Sequence, residues 1–321
     1  MKANKIIMRF SVALPICCLL LLWSCEEEFI PEVSTEASQI VVEGYIETGD
    51  RPRPAFVILT RSFPFFSEFS QDQLNNSFVN GAEVWVRSGE QEVQLSELCL
   101  NDLTPEQIEL AQSFLDLPLE DIGLNFCAYI DLNLSMEPKE GERYDLEVNV
   151  EGETLRATTT IPFHVPIDSL WFVNPPGAPN DTLAQLRGFL SDPPGIANFY
   201  QAYTQVGEEG YQKPFASVVD DRLFDGQAFQ FPIQKAESTI DAEEVDPATF
   251  GLFRRGDAIS VRWLCIDKAH FDFWNTLEFN LANQGPFSSY TLVDSNIEGG
   301  LGVWGGISST HYDLVVPEEP E

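Results

Sequence analysis

Three kinds of side chain here could carry chemistry: six cysteines, three histidines and a large excess of carboxylates. Cys25 is the most informative. It follows the apolar run 19–22 (LLLL), Trp23 and the small Ser24, and Glu26, Glu27 and Glu28 come directly after it. A thiol in that position is placed for acylation at a signal-peptide cleavage site. Cys17 and Cys18 are not, because they follow Ile16 and Cys17 rather than a small residue. Cys99 and Cys127 flank a short helical excursion and are suited to a disulfide in an exported chain, with two buried free thiols as the other reading. Cys265 alternates inward with Ile259, Val261 and Trp263, which predicts a buried free thiol.

The histidines and carboxylates give no comparable pattern. His164, His270 and His311 are scattered, no pair has the i, i+4 spacing of a helical zinc site, and no cysteines have zinc-ribbon spacing. Asp220, Asp221 and Asp225, with Gly226, could offer oxygen ligands to calcium, but their spacing is not that of an EF-hand loop, and a solvated turn is the simpler reading. The chain has no Gly-x-Ser-x-Gly elbow, and the glycines from Gly299 to Gly306 lack the lysine and hydroxyl of a phosphate loop. Those glycines are expected where backbone turns or packs closely near the last strands. The expectation is a non-enzyme, with no catalytic residue, metal or cofactor, and with its ligand unknown. A hydrolase site assembled from distant carboxylates stays open, because converging residues leave no local signature.

The leader explains how Cys25 is presented. Lys2, Lys5 and Arg9 make a basic start, and residues 10–22 form an apolar stretch broken by Pro15. It is shorter than the roughly 20 residues of a spanning helix. Residues 1–24 are read as a lipoprotein signal peptide and 25–39 as an acidic and polar tether. Trp23 is the departure, since a smaller residue is usual there. Lipid chains on Cys25 each contribute about 0.8 kcal/mol per buried methylene, and two or more anchor a protein stably. The membrane is then a partner through the N-terminal lipid.

Charge narrows the other partners. The chain holds 18 basic and 51 acidic residues, and loss of the leader's three basic residues leaves a mature net charge of −36. Such a surface repels nucleic acid and anionic headgroups, so the lipid must do the anchoring.

The rest of the chain must position whatever binds. Residues 40–46 (IVVEGYI), 56–61 (FVILTR) and 82–87 (AEVWVR) read as short strands, the third with Ala82, Val84 and Val86 on one face. Residues 61–80 read as a long loop carrying Phe63, Phe65, Phe66, Phe69 and Phe78, tucked on the core or exposed as a contact patch. Thr104, Pro105 and Gln107 mark a helix start, with Ile108, Ala111 and Leu115 on one face. Residues 144–150 (YDLEVNV) and 154–161 (TLRATTTI) alternate as partner strands. Further strands are expected at 168–173, 183–190, 199–206, 217–224, 228–233 and 259–266. A helix comes next, capped by Asp267 and ended by Gly285-Pro286, with Phe271, Trp274, Leu277, Glu278 and Leu281 on one stripe. Its aromatic face is read as core packing, a ligand-facing role being the alternative. The class is mainly β: two β-sandwich-like, immunoglobulin-like domains at 40–161 and 168–316, a linker at 162–167 and an acidic tail at 317–321.

Several segments in order, 40–46 (IVVEGYI), 81–84 (GAEV), 166–170 (PIDSL), Phe199-Tyr200, Gly256-Asp257 and 295–302 (SNIEGGLG), resemble the Bacteroidetes lipoprotein family called domain of unknown function 4249. The resemblance covers nearly the whole mature chain. It implies an outer-membrane lipoprotein accompanying a TonB-dependent receptor in ligand capture or docking, and it brings no catalytic residue. The excursion between Cys99 and Cys127 departs from the family pattern. Glu26, Glu27 and Glu28 resemble the acidic export signal of surface lipoproteins in that group, or serve as a solvated linker. Asp181-Thr182-Leu183 resembles an O-glycosylation site, with Thr182 the acceptor. An adhesion or structural module at the cell surface is the rival reading.

Overall fold

Alternation decides most of the strands. In 144–150, Tyr144, Leu146, Val148 and Val150 are buried, while Asp145, Glu147 and Asn149 are only partly covered. That is the burial that a period of two requires when one sheet face meets the core. The computed structural model describes residues 38–63, 76–104, 108, 127–177, 181–214, 216–236, 249–283 and 292–319. Cys25 and Glu26 to Glu28 lie outside them, as do Phe65, Phe66, Phe69, Ala111 and Leu115.

The protein is mainly β. In chain order the strands are β1 (Ile40–Gly49), β2 (Phe56–Arg61), β3 (Glu83–Ser88), β4 (Gln91–Cys99) and β5 (Cys127–Ile130). Next come β6 (Arg143–Val150), β7 (Glu153–Thr160), β8 (Ser169–Val173), β9 (Leu183–Ser191) and β10 (Phe199–Val206). The last are β11 (Val218–Asp220), β12 (Ala228–Ile233), β13 (Phe253–Arg254), β14 (Ala258–Ile266) and β15 (Leu301–Val315), with helix α1 (Lys268–Ala282) before β15. Among the described residues, eleven strands form one sheet in the order β11-β10-β14-β15-β1-β2-β5-β4-β3-β6-β7. A second sheet of four strands is built on β9, which pairs with β8, β12 and β13.

The strands pair across the boundary expected at 162–167. β1 runs parallel to β15, with Val41 opposite Leu301 and Gly49 opposite Ser309, so the first and last strands lie side by side. Residues 162–167 are packed rather than free: Val165 and Ile167 are buried, Val165 N donates to Cys265 Sγ at 3.2 Å, and Val165 O accepts from Trp263 Nε1 at 2.9 Å. A buried backbone must satisfy its polar groups, and here strand β14 does so. The expected strand 217–224 is also shorter. Only Val218–Asp220 pairs, because the Asp221 carboxylate accepts from Asn198 N at 2.6 Å and the chain turns through residues 221–226.

The described residues bury three apolar cores. One fills the space between β1, β2 and β15 and the layer of β3, β6 and β7, around the fully buried Trp304. A second lies on the opposite face of the main sheet, where Phe271 of α1 meets Tyr45, Leu264, Ile266 and Ile307. The third is enclosed between β10, β14 and the end of β15 on one side and the β9 sheet on the other. The glycines of β15 are close-packing positions: a Cβ on Gly302 would stand 1.9 Å from Val42 O, and one on Gly306 would stand 2.7 Å from Thr160 O.

Helix α1 starts as expected. Asp267 Oδ1 accepts from His270 N at 2.9 Å, and Phe271 faces the core. Leu281, also expected on the packed stripe, is exposed instead. Among the described residues no helix is long and apolar enough to cross a membrane.

Candidate functional site

β11 and β12 are the outermost strands of the two sheets, and between them the third core is left unfilled by a cavity of about 260 Å³. Five aromatic rings on its walls touch in a closed circuit. Tyr200 stacks on Trp263 at 5.1 Å between centroids, Trp263 meets Phe231 at 5.6 Å, and Phe231 meets Phe229 at 5.6 Å. Phe229 meets Phe224 at 4.2 Å, and Phe224 returns to Tyr200 at 6.4 Å. Local rules put each ring there. Phe229, Phe231 and Ile233 share one face of β12 by alternation, Trp263 shares the inward face of β14 with Val261 and Cys265, and Phe224 comes from the turn after β11. Pro232 lacks a donor and is tolerated because β12 is an edge.

The polar ends of the two amphipathic rings point elsewhere. Trp263 donates to Val165 O, and Tyr200 Oη donates to Asp192 Oδ1 at 2.5 Å. Burial, reinforced by Asp192, pushes the Tyr200 hydroxyl well above its ordinary value, so it stays a donor. None of the described lining residues is charged.

One wall is held by α1. Glu278 Oε2 accepts from Ser217 N at 3.0 Å and Glu278 Oε1 accepts from Ser217 Oγ at 2.5 Å, while Lys213 Nζ reaches the same carboxylate at 3.4 Å. Lys213 also sits over the Trp274 ring at 3.2 Å, so this stripe residue of α1 helps to hold the loop. The carboxylate fixes the neighbouring amide. Ser217 gives its only hydroxyl proton to Glu278, so at 3.1 Å it accepts from Gln201, and that Gln201 atom must be Nε2. Gln201 is 1% exposed, and its Oε1 has no partner among the described residues; opposite Leu264 in the β14 pairing, its side chain lies on the α1 face of β10, whereas Tyr200 and Ala202 face the aromatic circuit.

Beneath the rings, Asp192, Asp221 and Asp225 bring carboxylate oxygens within 4.8 Å of one another. Asp220, grouped with Asp221 and Asp225 on sequence, pairs with Arg222 instead, and Asp192 takes its place. The three carboxylates tie the turn together: Asp192 Oδ2 accepts from Gly226 N at 3.0 Å, and Asp225 Oδ1 accepts from Gly195 N at 2.7 Å.

Cys99 and Cys127 form a disulfide between directly opposed residues of β4 and β5. Cys265 is a buried free thiol, pushed up to about 12 by burial. Thr182 is exposed, and its carbonyl accepts from Arg255 N at 2.9 Å. The histidines stand in three separate settings: His164 Nε2 lies 2.7 Å from Thr310 Oγ1, and His311 Nδ1 lies 2.8 Å from Asp50 Oδ1. His270 is buried against Tyr45, and burial lowers it to about 3, so it is neutral. Sequence reasoning misses the aromatic circuit. Its one local signal is the alternation of Phe229 and Phe231 on a proline-containing edge strand.

No curated protein matches this chain. A family model described as "Domain of unknown function (DUF4249)" matches residues 26–313, and the chain belongs to that family.

Proposed function

We propose that the protein is a lipid-anchored outer-membrane protein, exposed at the cell surface, that captures a small ligand for a TonB-dependent receptor and catalyses no reaction. The observation that carries the binding role is the cavity ringed by five aromatic side chains, with no charge among its described lining residues, the kind of concave apolar site that small molecules occupy. The anchor rests on Cys25 and its leader. The receptor comes from the family resemblance. A lipid confines the binding domain and a receptor to one membrane, which raises their effective concentration without new contacts.

The test is affinity isolation from mildly solubilised outer membranes, with mass spectrometry of the co-purified proteins. A TonB-dependent receptor is the expected companion. Its repeated absence, with known receptor complexes recovered as a control, would favour the cell-surface adhesion or structural module. Reproducible turnover of a glycan, peptide or ester, abolished by one substitution, would instead establish a hydrolase.

A further inference from the structure

We infer that the cavity between β11 and β12 takes the flat, apolar end of an uncharged aromatic molecule, and that the molecule's polar end stays at the mouth beside Gln234. The inference rests on the binding role proposed above and names the ligand class for that site.

Register makes the room. Tyr200 and Ala202 share the inward face of β10, and Ala202 stands opposite Trp263 of β14, so a lone methyl group faces the largest side chain of the adjoining strand. Ala202 lines the cavity of about 260 Å³. An apolar cavity of about 150 Å³ holds benzene, so this one has room for a second fused ring. Phe231 lies at 35° to Trp263 and at 40° to Phe229, so the walls offer ring edges as well as faces. Such walls favour a flat ring, because aromatic pairs attract beyond what the burial of their area supplies.

Burial sets which end of the molecule goes in. Tyr200, Ile233 and Trp263 line the deep end and are at most 4% exposed, whereas Ala216, Pro232 and Gln234 are exposed and mark the mouth. Carbon faces the deep end. The Tyr200 hydroxyl points away to Asp192 and the Trp263 N–H to Val165 O, and the Gln201 side chain lies on the α1 face of β10. A polar group pushed that far would lose its water without gaining a partner. Gln234 is different: its side chain is in solvent against Gly251, where its amide can serve a ligand group that stays wet. A monosaccharide, polar all round its ring, does not fit this division. Because none of the described lining residues is charged, an ionic ligand would lose its hydration without compensation.

Three relatives of one fused ring separate these elements: 2-naphthol, its saturated and puckered counterpart decahydro-2-naphthol, and naphthalene-2,6-diol, which carries a hydroxyl at both ends. Each is titrated calorimetrically, with glucose, into the full-length protein in detergent, against matched empty micelles. 2-Naphthol is expected to bind saturably at one site. The saturated alcohol should bind about tenfold more weakly because it loses the ring contacts, and the diol at least about tenfold more weakly because one hydroxyl must enter the deep end. Glucose is expected not to bind. Ala202→Phe, which fills the cavity from β10, should abolish binding of 2-naphthol.

Equal binding of 2-naphthol and the diol by the wild type would overturn the apolar deep end, and equal binding of 2-naphthol and its saturated counterpart would overturn the aromatic class. Both comparisons stand even if Ala202→Phe does not fold. Binding of glucose in preference to 2-naphthol, binding of none of the four, or binding that survives Ala202→Phe in a folded variant would overturn the site itself. Failure of the receptor reading is distinct: 2-naphthol would bind as described while no receptor is isolated. Recovery of the receptor without any aromatic binding would remove this inference and leave that reading standing.

Discussion

Arg262 Nη2 lies 2.6 Å from Glu47 Oε2 with both side chains only 2% exposed, so a salt bridge between β14 and β1 is sealed over the intervening strand β15. Ser309 of β15 donates to the other Glu47 oxygen at 2.5 Å, and Arg53 adds a second guanidinium at 3.0 Å. Burial alone would raise the Glu47 carboxyl; the arginines and the serine outweigh it and hold the group at about 2. Glu47→Gln leaves Arg262 buried without its countercharge and should cost about 3–5 kcal/mol in denaturant unfolding. The double change Glu47→Met with Arg262→Met should cost much less. Because the folded value lies below the ordinary 4.5, the stabilisation is present above pH 4.5 and lost as pH falls towards 2. Wild type should therefore lose stability across that window more steeply than Glu47→Gln.

Asp267 has the opposite sign. Burial raises its carboxyl to about 6, even though Thr159 Oγ1 and His270 N both donate to it. Between pH 3.8 and 6 the folded state binds more proton than the unfolded one, so stability falls as pH rises through that range. Asp267→Asn keeps an oxygen for His270 N and removes the buried charge. Thermal unfolding at pH 7.5 should show it as stable as wild type or more so, with a flatter profile between pH 4 and 6.

Gly302 and Gly89 test close packing against backbone preference alone. Both have positive φ, 109° and 56°, but a Cβ at Gly302 would meet Val42 O at 1.9 Å, whereas one at Gly89 meets nothing within 4 Å. Gly89→Ala should cost about 1–2 kcal/mol, the ordinary left-handed penalty. Gly302→Ala must also part β1 from β15 and should cost more than about 4 kcal/mol or prevent folding. Equal melting temperatures for the two variants would contradict this packing.

The Cys99–Cys127 disulfide closes a sequence separation of 28. Replacing both cysteines by alanine should lower stability by about 3.5 kcal/mol in the chain-entropy account. Alkylation and intact-mass measurement should find neither of these cysteines modified until the protein is reduced. Cys265 should label only after denaturation, because it is buried and its thiolate is disfavoured.

Local order along the chain was largely written in the sequence. The alternation of Tyr144, Leu146, Val148 and Val150 chose a strand and its buried face, and Asp267 chose where α1 begins. The inward phase of Val261, Trp263 and Cys265 made Cys265 a buried thiol. These are properties of neighbours a few residues apart. Partner choice is not: alternation states which face is buried but not which strand lies alongside. Only the tertiary structure set Val41 beside Leu301 and carried the main sheet through the expected boundary. The same limit hid the candidate site. Tyr200, Phe224, Phe229, Phe231 and Trp263 sit on several chain segments, each reading as an ordinary core aromatic, and they form a circuit only when β10, β12 and β14 face one another. Asp192 likewise displaced Asp220 beside Asp221, because distance in space, rather than spacing in sequence, decides which carboxylates meet.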